Sequence, residues 1–135
     1  MLIARTDARS LDGLDAAIER GCAYREAGAN MIFPEGLTSE QEFDTFAKAC
    51  PGLLLANMTE FGKTPFIGLD RFGEMGYDLV IYPVTMQRVA MHAVTTALAE
   101  LRSAGSVEGF LDRCQTRQAL YELLGYEPGV EWESR

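Results

Sequence analysis

Leu53–Pro65 reads LLLANMTEFGKTP, and the fold turns on how this stretch is parsed. An apolar run, Leu53-Leu54-Leu55-Ala56, stands between the breakers Pro51-Gly52 and a polar segment that reaches Gly62. A short continuous apolar run bounded by turn residues is the pattern of a strand buried on both faces. The run stops abruptly in Asn57, Thr59, Glu60 and Lys63. An amide, a hydroxyl and two charges are poor core material. They suit a ligand site at a strand's carboxyl end, where parallel folds gather their functional groups.

Working outward, the same pattern recurs. Leu2-Ile3-Ala4 reads as a strand that starts at the chain's first residues and ends in Arg5-Thr6-Asp7. A chain that opens inside a buried strand is unusual, and the expectation is that something is missing upstream. Asn30–Phe33 is a second strand ending in Pro34-Glu35-Gly36, and Leu79–Tyr82 is a fourth, ending in Pro83. Helices are expected between them. Asp12–Gly28 carries Leu14, Ala17, Ile18 and Cys22 at helical spacing, with Ser10 or Asp12 to cap its start and Gly28 to end it. Ser39–Cys50 has the Ser39/Glu42 spacing of a capping box and an apolar face of Phe43, Phe46, Ala47 and Cys50. Leu69–Met75 is a short helix stopped by Gly76.

A long helix, Thr85–Ser103, follows, with a stripe of Met86, Val89, Ala90, Ala93, Val94, Ala97, Leu98 and Leu101. His92, the one histidine, lies off that stripe and reads as a solvated helix residue. Residues 107–124 form one or two further helices, and 125–135 a polar tail that Trp132 could anchor.

Strand–helix units with apolar strands roughly 25 residues apart mean a parallel sheet covered by helices. Two architectures fit: a small open doubly wound sheet, or half of a (β/α)8 barrel, whose full length is roughly 250 residues. The first strand has no feature that blunts a free edge. The α/β reading adopted is therefore the C-terminal half of a TIM-type barrel over residues 1–105, with C-terminal helices at 106–124.

Composition sets outer limits. The chain has 135 residues, 47% hydrophobic and 24% charged, with a net charge of −8. Such a balance argues against general nucleic-acid binding while leaving room for a basic pocket. No apolar run is long enough to span a membrane. The three cysteines, Cys22, Cys50 and Cys114, are odd in number and widely spaced, which points to a reducing cytoplasmic setting. Cys22 and Cys50 fall on helical apolar stripes and read as core.

The strand ends deliver Arg5 and Asp7, then Glu35, then Asn57, Thr59 and Glu60, and finally Arg88 just past Pro83. An arginine fork donates two parallel hydrogen bonds to a carboxylate. Asn and Thr suit a second carboxylate, and a glutamate suits a hard divalent cation or its waters. Together they read as a site for a small di- or tricarboxylate with a metal. No glycine-rich phosphate loop, Ser/His/Asp set or zinc spacing accompanies them.

Ile3-Ala4-Arg5-Thr6-Asp7-Ala8, Phe33-Pro34-Glu35, Ala56-Asn57-Met58-Thr59-Glu60-Phe61-Gly62-Lys63-Thr64-Pro65, Gln115-Thr116-Arg117 and Tyr121-Glu122 resemble the methylisocitrate lyases of the isocitrate lyase/phosphoenolpyruvate mutase superfamily. The resemblance runs over nearly the whole chain and weakens after Gly125. It implies an eight-stranded barrel, bound Mg2+, a homotetramer with an exchanged C-terminal helix, and cleavage of 2-methylisocitrate to pyruvate and succinate in propionate breakdown. It further implies that Arg5 and Arg88 grip substrate carboxylates and that Glu35 sits beside the metal's waters. Asn57, Thr59 and the Met58 backbone would hold the succinyl carboxylate, with Arg117 a further contact.

The family's Ser-Gly-Gly turn, metal-binding aspartates and catalytic cysteine in a Lys-Cys-Gly-His loop are not in this sequence. The chain therefore resembles strands five to eight plus the C-terminal helices, and is expected to be inactive alone. Two alternatives stay open: a non-catalytic assembly fragment, or part of a related lyase or decarboxylase acting on another 2-hydroxy or 2-keto acid.

Overall fold

The computed structural model describes residues 1–130, so Trp132 and the end of the tail lie outside the described residues. Strands β1 (Ile3–Thr6), β2 (Met31–Pro34), β3 (Leu55–Asn57) and β4 (Leu79–Ile81) alternate with helices. β1 pairs parallel with β2, Ala4 opposite Ile32, and β3 pairs parallel with β4, Ala56 opposite Val80. A single parallel bridge, Ile32 to Leu54, joins the two pairs, and the Ile32 N–H donates to the Leu53 carbonyl at 3.0 Å. All four carboxyl ends therefore point the same way. The first three strands run slightly later than expected, so that Arg5 and Asn57 belong to β1 and β3 instead of following them, while β4 starts at Leu79 as expected.

The helices are α1 (Ala8–Asp12), α2 (Leu14–Glu26), α3 (Glu40–Ala49), α4 (Leu69–Met75), α5 (Thr85–Ala104) and α6 (Arg117–Leu124). The expected Asp12–Gly28 helix is shorter, because Gly13 takes φ +94° and separates α1 from α2 without a side-chain cap. Ser39 does cap α3, its hydroxyl accepting from the Glu42 N–H at 3.2 Å. Glu42 answers one residue earlier than a capping box does, accepting from the Thr38 N–H at 2.8 Å. Residues 107–124 resolve into a 3-10 helix, Glu108–Arg113, and α6, which Thr116 caps through the Ala119 N–H.

The molecule divides into two compact units after Arg88, inside α5. The first unit, Met1–Arg88, holds the continuous core. Phe43, Phe72 and Tyr77 meet edge to face in a ring of three, with centroids 5.1 to 5.5 Å apart. Such contacts add to the gain from burying the rings. The Tyr77 hydroxyl donates to the Phe43 carbonyl at 3.2 Å, and burial pushes its pKa up.

Phe46, Ile32, Leu37, Leu54 and Ala56 are fully buried around the aromatic ring. Gly21 on α2 makes this packing possible: a Cβ there would stand 2.7 Å from the Phe46 ring. Cys50 is buried, and Cys22 is half-buried against the same core. The second unit, from Val89 onward, contains the rest of α5, the 3-10 helix and α6, with Phe110 its buried residue among those described. Among the described residues, no helix is long and apolar enough to cross a membrane.

Candidate functional site

Three neighbouring strands bring one hydrogen-bonded group together. Arg5 leaves β1, Glu35 follows β2, and Asn57 ends β3. The Glu35 carboxylate is the hub. It accepts from Asn57 Nδ2 at 3.2 Å and from the Gly36 N–H at 3.1 Å, and lies 3.4 Å from Arg5 Nη1. The Arg5 guanidinium also makes a two-point contact with Asp7, at 2.9 and 2.7 Å, and stacks over Phe33. Its hydrogen bonds to Asp7 hold that carboxyl below the usual range. Arg5 thus stands between two carboxylates, half exposed, with its charge balanced and its fork already oriented.

One atom in this group lacks a partner. Asn57 Oδ1 is buried and accepts no hydrogen bond among the described residues. A buried amide oxygen left unpaired is costly, so this atom is where a ligand donor, a water or a cation would be most welcome.

A second group sits on the segment after β3 and the start of α5. Arg88 Nη1 pairs with the Glu60 carboxylate and lies 3.4 Å from both the Thr59 hydroxyl and the Glu60 carbonyl. Its guanidinium also covers the Phe61 ring. Two non-glycine residues with positive φ flank this group, Phe61 at +62° and Val84 at +56°. Such backbone is costly and is kept where surrounding structure enforces it. Val84 begins the first turn of α5, its carbonyl accepting from the Arg88 N–H at 2.8 Å. Thr64 pins the loop from the other side by donating to the Leu37 carbonyl at 2.6 Å. Neither strained position was legible in sequence, since nothing about Phe or Val signals left-handed backbone.

The remaining expected residues fall elsewhere. The Met58 N–H donates to the Ile81 carbonyl at 2.9 Å, so the β3–β4 pairing uses it. Arg117 opens α6 in the second unit and lines a groove of about 500 Å³ with Tyr121 and Tyr126. Among the described residues, no cluster of three or more His, Cys, Asp or Glu is placed to hold a metal ion. One carboxylate and one unpaired amide oxygen fit a magnesium ion that keeps most of its waters.

A family model for phosphoenolpyruvate phosphomutase matches residues 1–102. A probable 2-methylisocitrate lyase of Corynebacterium glutamicum is 57% identical over 94% of this chain and 42% of its own length. The chain therefore spans less than half the length of that relative. A crystal structure of 2,3-dimethylmalate lyase, described as a member of the phosphoenolpyruvate mutase/isocitrate lyase superfamily, superposes with a TM-score of 0.81 at 34% identity. It covers 90% of this chain and 42% of that one. Phosphonopyruvate hydrolase in complex with oxalate and Mg2+ superposes with a TM-score of 0.73 at 26% identity, over 91% of this chain and 44% of its own.

Proposed function

Because the chain belongs to the phosphoenolpyruvate mutase/isocitrate lyase family, we propose that it supplies the C-terminal half of a barrel that cleaves 2-methylisocitrate to pyruvate and succinate. The observation that carries this reading is the linked set Arg5–Glu35–Asn57 at the carboxyl ends of three adjacent parallel strands. The 57% identity to a methylisocitrate lyase favours this substrate over the reaction of the dimethylmalate enzyme, which is 34% identical.

Breaking the carbon–carbon bond leaves electron density beside a carboxylate, and fixed positive groups stabilise it best in a closed site. Arg5 is the cation for one carboxylate, already aimed by Asp7 and Glu35. Arg88 is the cation for another, and must exchange Glu60 for substrate. The Thr59 hydroxyl and the Asn57 amide hold the succinyl end, with Met58 completing that wall. Arg117 is a further contact. Glu35 and Asn57 Oδ1 would hold waters of a magnesium ion, which when bound polarises the forming keto oxygen. The magnesium found in phosphonopyruvate hydrolase supports the choice of metal. A homotetramer with an exchanged C-terminal helix and a cytoplasmic setting complete the proposal.

Calorimetry of the 135-residue chain with succinate, with and without magnesium, tests the binding part. Wild-type chain should bind, and Arg5→Gln should weaken binding at least tenfold. No binding by wild type overturns the dicarboxylate site. An assay of the same chain with 2-methylisocitrate and magnesium tests the rest: turnover near that of a full-length enzyme would refute the half-site reading.

A further inference from the structure

Cys22 and Cys50 are 28 residues apart in sequence, on α2 and at the end of α3, yet the fold sets their thiols against each other. Two distances fix the arrangement. The Cys22 thiol donates to the carbonyl of Ala49, the residue next to Cys50, at 3.6 Å. A Cβ placed on Gly21, the neighbour of Cys22, would stand 3.6 Å from Cys50 Sγ. Burial first, and the neighbouring Cys50 thiol second, push the Cys22 thiol's pKa up. Because Gly21 has no side chain, Phe46 and Cys50 of α3 come in close against α2 at this point.

Exposure differs across the pair. Cys22 is half-buried and reachable from solvent, while Cys50 is 1% exposed. Cys114 is the one cysteine of the second unit, its thiol donating to the Phe110 carbonyl at 3.5 Å. Nothing in the proposed lyase chemistry uses any of the three.

We propose that Cys22 and Cys50 are a dithiol modification site that closes to an intramolecular disulfide, tying α2 to the carboxyl end of α3, when a small-molecule disulfide oxidises it. The Cys22 thiolate attacks one sulfur of the oxidant. A mixed disulfide forms, and one small thiol leaves with the proton that Cys22 gave up. The Cys50 thiolate then attacks the Cys22 sulfur, the protein disulfide forms, and the second small thiol leaves. The protein loses two electrons and the oxidant gains them. The second step is intramolecular, so the mixed disulfide does not accumulate. Burial holds the Cys22 thiol above its ordinary pKa, so the first step is slow at neutral pH.

The test uses the 135-residue chain and oxidised glutathione. After incubation and trapping of free thiols, titratable cysteines should fall from three to one, or to none where Cys114 has also taken up glutathione. Non-reducing peptide mapping should return a Cys22–Cys50 cross-link, with Cys114 free or singly glutathionylated. Cys50→Ser should instead accumulate a stable mixed disulfide at Cys22. Stable glutathione on Cys22 in the wild type, or cross-links only between chains, would overturn the proposal. The wild-type map decides the matter even if the Cys50 variant folds poorly.

Discussion

Helices α3 and α5 make an instructive pair. Both carry a continuous apolar stripe at helical spacing, and both are capped or closed by ordinary signals. In α3 the stripe is consumed: Phe43 and Phe46 are buried, and they meet Phe72, Tyr77 and Gly21. In α5 no residue is buried, and Val89, Val94 and Leu98 stand 62%, 48% and 59% exposed. Amphipathic periodicity states that a face favours an apolar neighbour, but not whether these residues provide one. α3 shows a stripe whose complement lies within the first unit; α5 shows one whose complement does not lie among the described residues.

The sharpest way to break this contrast is to empty the first core. Phe46→Ala should cost about 3–5 kcal/mol, since the ring is fully buried and its neighbours cannot close the cavity. Denaturant unfolding followed by circular dichroism measures it, and a loss below about 1 kcal/mol would mean that α3 is no better covered than α5. Next in size is Gly21→Ala. A methyl 2.7 Å from the Phe46 ring forces the α2–α3 contact apart, at about 1–3 kcal/mol. Better helix propensity returns up to about 1 kcal/mol, so a net loss in midpoint is expected.

Glu42→Gln should have a smaller effect with a distinctive pH dependence. Hydrogen bonds from Arg9, at 2.9 and 2.7 Å, hold the Glu42 carboxyl below its ordinary range. A depressed folded-state pKa contributes stability that is complete above the ordinary carboxylate pKa. That stability is lost as pH falls through the folded value. The variant should therefore lose stability at neutral pH and show a shallower decline on the acid side. A parallel downward shift at all pH values would remove the pair from the account of α3. Smallest of all is Leu98→Ser on α5, expected to move stability by no more than about 0.5 kcal/mol because the side chain is already in water. A larger loss would show that the α5 stripe is covered in solution.

The four strands, their order along the chain and most helix boundaries were legible, because each rests on local signals. The apolar run Leu53–Ala56 predicts β3, Ser39 predicts the start of α3, and Gly76 ends α4 in left-handed backbone. The α1–α2 break was not legible, since Gly13 could as well have sat inside one helix. The positive φ of Phe61 and Val84 was not either, since neither side chain carries a marker for it. In the site, the residue types were readable and their linkage was not. Arg5, Glu35 and Asn57 were expected at strand ends, but Asp7 as the second partner of Arg5 and the unpaired Asn57 Oδ1 emerge only with the sheet formed.

By itself the sequence determined what depends on neighbours a few residues away: strand and helix placement, caps, and the polar groups that follow each strand. Tertiary structure alone decided which distant groups meet. It placed Glu35 between Arg5 and Asn57, Cys22 beside Cys50, and Phe46 over Gly21. Those meetings depend on parallel register and helix packing, and a shift of one residue in either would send each side chain to a different partner.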